Sequence, residues 1–296
     1  MARPAILVTG GGGQVGTGLA EANRGRFDLA LPTRGQLDLA SRAAIDEAVA
    51  SRSWAAVINC AAYTAVDRAE SEREAAWAIN ADAPAAFAEA TARHGIPLLH
   101  VSTDYVFDGT GTRPYVEDDP VAPLGVYGAS KEAGERAIRA ASPDHLILRT
   151  AWVVSPWGSN FVKTMLRLAR ERDVVGVVED QRGSPTGAID IAEALLILAE
   201  RRIAGGKARG TYHFVNAGEA SWHELARAIF ARRAASGGPA PRVDPIPTSA
   251  YPTPARRPAY SVLSTAKITR DHDIVPRDWR DMLDELVHRL EGEAHA

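Results

Sequence analysis

Between residue 5 and about residue 150, short apolar runs alternate with stretches whose apolar positions recur every three to four residues. That rhythm predicts strands buried on both faces of a parallel sheet and joined by amphipathic helices. The expected strands are residues 5–9, 27–31, 55–59, 98–102 and 146–149. The expected helices are 14–24, 41–51, 69–80, 84–94 and 127–140. Beyond residue 150 the alternation loosens. A helix is expected at 160–171, a strand at 174–178, a Gly/Pro loop at 180–187 and a helix at 189–203. A turn at Gly205-Gly206, a strand at 212–215 and a helix at 222–233 follow. Residues 234–258, rich in Pro, Ala, Gly and Ser, have the composition of a linker. The fold class is α/β: a Rossmann-type doubly wound parallel sheet with a smaller C-terminal α/β lobe. Residues 1–150 form the dinucleotide-binding domain, with 174–203 returning to it. Residues 151–173 and 204–296 form a substrate-binding lobe over its catalytic edge.

Composition narrows the function. The 296 residues carry a formal net charge of -3, which argues against a basic nucleic-acid-binding face. The single cysteine, Cys60, sits in an apolar run and reads as a small buried side chain. One cysteine forms no internal disulfide, so no oxidising compartment is indicated. No charged segment followed by a long apolar one precedes the first strand, and no apolar run approaches the roughly 20 residues of a membrane span. The chain reads as cytoplasmic, with no membrane and no nucleic-acid partner. Its eight histidines show no metal-ligand spacing, so no metal is expected.

The first chemical signal is Thr9-Gly10-Gly11-Gly12-Gly13-Gln14-Val15-Gly16, between the first strand and the first helix. Glycines there permit a tight turn and let backbone approach a pyrophosphate, while the helix N-terminus supplies free N–H groups. The run contains Gly10-x-x-Gly13-x-x-Gly16 and also Gly11-x-Gly13-x-x-Gly16, and spacing does not choose between them. Where NAD is held through its ribose hydroxyls, the second strand ends in an acid. Here it ends Leu31-Pro32-Thr33-Arg34, with no acid. Arg34 suits a 2′-phosphate, or is an ordinary solvated arginine. NADPH is the expected cofactor, with NADH possible.

The second signal is Tyr127-Gly128-Ala129-Ser130-Lys131. Tyrosine and lysine four apart share a helix face, and a nearby ammonium lowers the pKa of a phenol. The third is Ser102-Thr103-Asp104-Tyr105, at the C-terminal end of a strand, where open parallel sheets bind ligands. Ser102 or Thr103 can place a hydroxyl on a substrate carbonyl beside Tyr127.

With these in place the chain resembles the extended short-chain dehydrogenase/reductase family, and within it the reductases of nucleotide-linked 4-keto sugars. The likeness runs nearly end to end. Its further motifs are Asn-x-Ala-Ala-x-Thr-Ala-Val-Asp (59–67), Ser-Thr-Asp-Tyr-Val-Phe-Asp-Gly (102–109), Arg-Thr-x-Trp-Val (149–153) and Asn-Phe-x-Lys-Thr-Met-Leu (160–166). Asp-Gln-x-Gly-x-Pro-Thr-Gly (180–187) and Tyr-Pro-Thr-Pro-Ala-Arg-Arg-Pro (251–258) complete the set. The resemblance implies hydride transfer to the C4 ketone of dTDP-4-dehydro-L-rhamnose, giving dTDP-L-rhamnose. It implies Thr103, Tyr127 and Lys131 as catalytic residues: Tyr127 as general acid, Lys131 on the ribose, Thr103 on the carbonyl. It implies cofactor contacts from Gly10, Gly13, Gln14, Val15, Gly16, Arg34, Asp38, Leu39, Ala61, Ala62 and Tyr63. Substrate contacts are implied for Thr103, Asp104, Trp152, Asn160, Gln181 and Thr186, with Arg256 or Arg257 on the diphosphate. It also implies that 234–258 is an ordered substrate loop rather than a linker.

One departure stands out. Some members dimerise around magnesium held by acids, but the aligned positions here are Gly18, Ile189 and Arg289. A monomer or weak homodimer without a bridging metal is expected. Two alternatives remain: a 4,6-dehydratase or epimerase on the same scaffold, and a non-catalytic regulator resembling the β-subunit of methionine adenosyltransferase. The dehydratases carry an Asp-Glu pair after the catalytic threonine, whereas Asp104 here precedes Tyr105.

Overall fold

In a computed structural model, which describes residues 3–142 and 144–293, the chain opens as a series of strand–helix units. In order these are β1 (Ala5–Thr9), α1 (Gln14–Ala22), β2 (Asp28–Ala30), α2 (Arg42–Ala50), β3 (Ala56–Asn59), α3 (Val66–Ala69), α4 (Arg73–Trp77), α5 (Ala83–His94), β4 (Leu98–Thr103), α6 (Val126–Ala141) and β5 (His145–Thr150). There follow β6 (Val153–Val154), α7 (Phe161–Glu171), β7 (Val174–Val178), β8 (Arg182–Gly183), β9 (Thr186–Gly187), α8 (Ala188–Ile203), β10 (Gly210–His213), β11 (Ala220–Ser221), α9 (Trp222–Ala235), β12 (Arg242–Ile246), α10 (Ala266–His272) and α11 (Trp279–Glu293).

Six strands make one sheet in the order β10-β5-β4-β3-β1-β2, all parallel. The chain steps to one side of β1 to make β2 and then to the other side to make β3. The crevice at their C-terminal ends is therefore the topological switch point where such sheets bind nucleotides. Alternate residues of β1 feed two cores: Ile6 and Val8 pack with α1 and α8, Ala5 and Leu7 with α2 and α5. Burial on both faces explains why the strands read as unbroken apolar runs.

The smaller lobe has its own core, in which Val162, Met165, Leu225, Ile229, Phe230 and Leu283 bring α7, α9 and α11 together under β7 and β12. The pairing divides the chain differently from the sequence reading. β7 pairs in parallel with β12 along five residues and belongs to this lobe. Its Val175 and Val177 are buried while Val174 is 44% exposed, the alternation of a strand covered on one face only. α8 returns alone to the large sheet, and β10 becomes that sheet's edge beside β5. The stretch with a linker's composition contains β12 and a loop anchored by side chains. α10 and α11 answer to no expected element, although Met282, Leu283, Leu286 and Val287 show helical spacing.

The expected helix at 69–80 is two short helices and a π-helical turn, Ala78–Asp82, that runs into α5. The extra residue in that turn faces Asn80 inward, where it is fully buried. Its Oδ1 accepts from Tyr63 N–H at 2.8 Å, and its Nδ2 donates to the Tyr63 carbonyl and to Ser130 Oγ.

Candidate active site

The glycine loop is shaped by contacts that exclude a side chain. Gly10 has φ +74°, and a Cβ there would lie 2.7 Å from Ala61 N, so the loop rests against the end of β3. A Cβ on Gly16 would lie 2.2 Å from the Gly10 carbonyl oxygen. A Cβ on Gly11 would press on Leu31, whereas one on Gly12 meets nothing within 4 Å. Gly13 precedes α1 in extended conformation without a side-chain cap, so the first-turn N–H groups keep no side-chain acceptor. Asn59 braces the floor, accepting from Thr9 Oγ1 at 2.6 Å and from Ala61 N–H at 3.2 Å. Val15, in the first turn of α1, packs against the core; Tyr63 donates its hydroxyl to Glu72. Arg34 and Asp38 are exposed beyond β2, Asp38 capping the Ala40 N–H, and Leu39 packs on the core.

The candidate catalytic residues meet at the C-terminal end of β4. Thr103 ends that strand; its hydroxyl donates to Asp104 Oδ1 at 2.9 Å and accepts from Tyr105 N–H. α6 crosses close by because residue 128 is glycine: a Cβ there would lie 2.1 Å from the Tyr105 carbonyl oxygen. The helix starts without a cap of its own, and Glu70 supplies one, accepting from Val126 N–H at 2.8 Å. Tyr127 then lies edge-on to Tyr105, ring centroids 5.5 Å apart. Arg149 of β5 pins the same helix by a buried two-pronged contact with Glu135, at 2.9 and 2.7 Å. Burial alone would raise the Glu135 carboxyl, but Arg149 holds it below the ordinary value.

Burial sets the protonation states around this point. It pushes the Tyr127 phenol up to about 12, against the lowering effect of the Thr103 hydroxyl. It brings Lys131 down to about 8. The expected lowering of Tyr127 by Lys131 is absent, because Lys131 Nζ is turned to β4, where it donates to the Val101 carbonyl at 2.7 Å. Burial raises Asp104 from 3.8 to about 6, held back by the Ser261 and Thr103 hydroxyls. A carboxyl raised in the folded state stabilises the fold while protonated, and that contribution is lost as pH rises through about 6. The neutral variant Asp104→Asn is thus expected to be more stable than wild type by about 3 kcal/mol at about pH 8 and nearly equal at about pH 4. Urea denaturation at the two pH values checks this; an equal gain at both would show that the carboxyl does not titrate in the fold.

Four buried polar atoms in the same region have no partner among the described residues: His100 Nδ1, Ser102 Oγ, Asp104 Oδ2 and Thr150 Oγ1. All lie on or just after β4 and β5. Two of these groups have looser neighbours: the Ser102 hydroxyl lowers the Glu135 carboxyl, and the Ser261 hydroxyl lowers that of Asp104.

The remaining candidates divide by what they already hold. Trp152 sits at φ +45° between β5 and β6, stacked on Trp222 with centroids 3.4 Å apart, and a Cβ on Gly183 would touch it. A non-glycine residue in the left-handed region is the strained geometry that clusters at functional sites. Arg257 is committed: it grips Asp67 at 3.0 and 2.8 Å, and Asp67 also accepts from Ala255 N–H. Asp67, last in the 59–67 motif, therefore anchors the 251–258 loop, and Arg256 beside it stays exposed. Pro258 closes over Gly109, where a Cβ would lie 2.5 Å from the proline ring.

Three residues expected on the substrate make hydrogen bonds within the protein. Asn160 caps α7 by accepting from Lys163 N–H and donates to Gln14 Oε1 at 3.1 Å. Gln14 also accepts from Ser155 Oγ at 2.7 Å, so it ties the glycine loop to the second lobe. Gln181 is buried and donates to Thr248 Oγ1, and Asp180 accepts from the same hydroxyl. Thr186 is fully buried, its hydroxyl given to the Ser184 carbonyl. At the positions aligned with metal-binding acids, a Cβ on Gly18 would lie 2.8 Å from the Ala188 carbonyl oxygen, and Arg289 pairs with Glu21. Sequence reading missed Asn80, Glu70, Asp67 and His100. Each acts on backbone or on another side chain, and no local spacing announces such a role.

The profile of the RmlD substrate binding domain matches residues 4–291. A dTDP-4-dehydrorhamnose reductase of Burkholderia thailandensis is 46% identical over 283 residues, covering 93% of this chain and 95% of its own. Among solved structures, a dTDP-4-dehydrorhamnose reductase of Clostridium acetobutylicum superposes with a TM-score of 0.91 at 35% identity, covering 97% of this chain and 99% of its own. That of Bacillus anthracis, solved in complex with NADP, does so with 0.89 at 34% identity and the same coverage. The fold, the glycine loop and these matches agree: the chain belongs to the dTDP-4-dehydrorhamnose reductase family.

Proposed function

We propose that the chain reduces the C4 ketone of dTDP-4-dehydro-L-rhamnose to dTDP-L-rhamnose, with NADPH as reductant. The observation that carries this reading is a half-buried Tyr127, its phenol in reach of the Thr103 hydroxyl, at the edge where the glycine loop opens. The dinucleotide fits that loop: Gly10 and Gly16 leave no room for a Cβ, and the first turn of α1 is uncapped. NADPH is favoured over NADH by the exposed Arg34 and by the lack of an acid at the end of β2. Bound there, the reduced nicotinamide supplies the hydride.

The chain's own groups supply the rest. With its phenol at about 12, Tyr127 is fully protonated near neutrality, as a group that must give a proton to the nascent C4 alkoxide should be. Thr103 gives its single O–H to Asp104 Oδ1; turned instead to the same C4 oxygen when substrate is bound, it stabilises charge developing there. Lys131 has three N–H donors, and two are used on β4. The third serves the ribose hydroxyls. Trp152 offers an apolar wall to the sugar.

With Arg257 tied to Asp67, the diphosphate falls to Arg256. Arg256→Ala is expected to raise KM for the sugar nucleotide about tenfold with an unchanged melting temperature. Arg257→Ala frees the loop, so both KM and thermal stability suffer. Steady-state kinetics alongside thermal melts separate the two; a silent Arg256→Ala would remove it from the site.

The reaction itself is tested with NADPH and dTDP-4-dehydro-L-rhamnose generated in situ. The reading requires one NADPH consumed per dTDP-L-rhamnose formed. Turnover of a sugar nucleotide without net NADPH loss would mean an epimerase. No turnover by folded, NADPH-binding protein would favour a regulatory role.

A further inference from the structure

His100, on β4 directly behind the site, is a buried titratable residue that the reaction above leaves idle. Its side chain has no exposed surface, and its Nε2 lies 3.1 Å from Lys131 Nζ. An ammonium only donates, so Nε2 accepts and the ring proton is assigned to Nδ1, which has no partner. The imidazole sits in the sheet as an acceptor for a single N–H. With the Val101 carbonyl at 2.7 Å it takes two of the three Lys131 donors and leaves one direction open.

We propose that His100 is a positioning residue: by receiving one Lys131 N–H it aims the remaining N–H at the ribose of the bound dinucleotide and keeps the ammonium charged. This rests on the reading of Lys131 as the ribose-holding residue.

The surroundings make the second half of the claim testable. Lys131 faces His100 and the Val101 carbonyl on β4, Cys60 beyond β3, and Glu135 one turn along α6, itself pinned by Arg149 of β5. Burial, then the Lys131 charge, hold His100 well below 6.5, so it is neutral and places no second positive charge there. Burial likewise pushes the Cys60 thiol up to about 12, leaving it neutral. Burial opposes the Lys131 charge, while the Glu135 carboxylate favours it. A neutral acceptor at 3.1 Å adds to the favourable side. Removing it should therefore lower the pH at which the lysine loses its proton.

The test is direct titration with NADPH, followed by quenching of protein fluorescence, across a range of pH and without any sugar. His100→Leu is expected to weaken NADPH about tenfold and to move the alkaline loss of affinity to lower pH by about one unit. His100→Gln, which restores an acceptor oxygen, should recover most of both. In a Lys131→Met background His100→Leu should have no further effect. If His100→Leu does not fold, His100→Met fills the space without a strong acceptor and takes its place. An unchanged affinity and pH profile in the variant lacking the acceptor would overturn the proposal. So would an effect that persists undiminished without Lys131. Because no sugar enters the titration, an error in the assigned substrate leaves this result intact. An error about Lys131 shows separately, as Lys131→Met binding NADPH like wild type.

Discussion

Tyr127→Phe is expected to lower kcat about a thousandfold while NADPH affinity stays within about twofold of wild type. The size follows from the role: loss of a positioned general acid typically costs a factor of about a hundred to ten thousand. The selectivity follows from the geometry. The phenyl ring keeps its edge-on contact with Tyr105, α6 remains pinned by Arg149 and Glu70, and only the proton is lost. Pre-steady-state measurement of NADPH oxidation, with a separate NADPH titration, reads both quantities. A variant retaining a tenth or more of wild-type kcat would move the proton elsewhere. Asp104, bonded to Thr103, is another acid at the site, and such a residual rate would fall as pH rose through about 6.

The second large effect concerns the loop. Gly16→Ala places a methyl group 2.2 Å from the Gly10 carbonyl oxygen, a contact that only backbone movement relieves. The movement opens the turn that holds the N–H groups of α1, so NADPH binding should weaken at least a hundredfold and the melting temperature should fall. Gly12→Ala, in the same loop but in open space, should change both by little. Calorimetric melts and NADPH titration on the pair give the comparison. Similar losses in the two variants would mean that the glycines matter for chain flexibility rather than for close approach.

What the sequence made legible follows from where the information is local. Strands buried on both faces and the helices between them show in hydrophobic period, so the first half is readable from residues 5–9 onward. The glycine loop is readable because turn, backbone approach and helix start fall within eight residues. Spacing did not choose between the two glycine patterns, since the choice depends on Ala61, which reaches Gly10 only when β3 pairs with β1. β7 was misplaced because a short valine run looks alike in either lobe, and its partner β12 lies in a stretch with the composition of a linker. The site was legible as motifs but not as contacts. Asn160, Gln181 and Thr186 stand in motifs yet hold the frame together. Arg256 and Arg257 are adjacent, and only the ion pair to Asp67, 190 residues away, distinguishes them. The state of Lys131 was out of reach in the same way, because the groups that set it come from three strands and a helix.

The central claim is hydride delivery to C4 of the sugar with net consumption of NADPH. It is tested most directly by running the reaction with NADPH deuterated at the transferable position and locating the label in the isolated dTDP-deoxysugar by mass spectrometry and NMR. The account predicts one deuterium, bound at C4, in stoichiometric yield with the oxidised cofactor. Product carrying no deuterium at C4, or conversion with the NADPH pool intact, would contradict it.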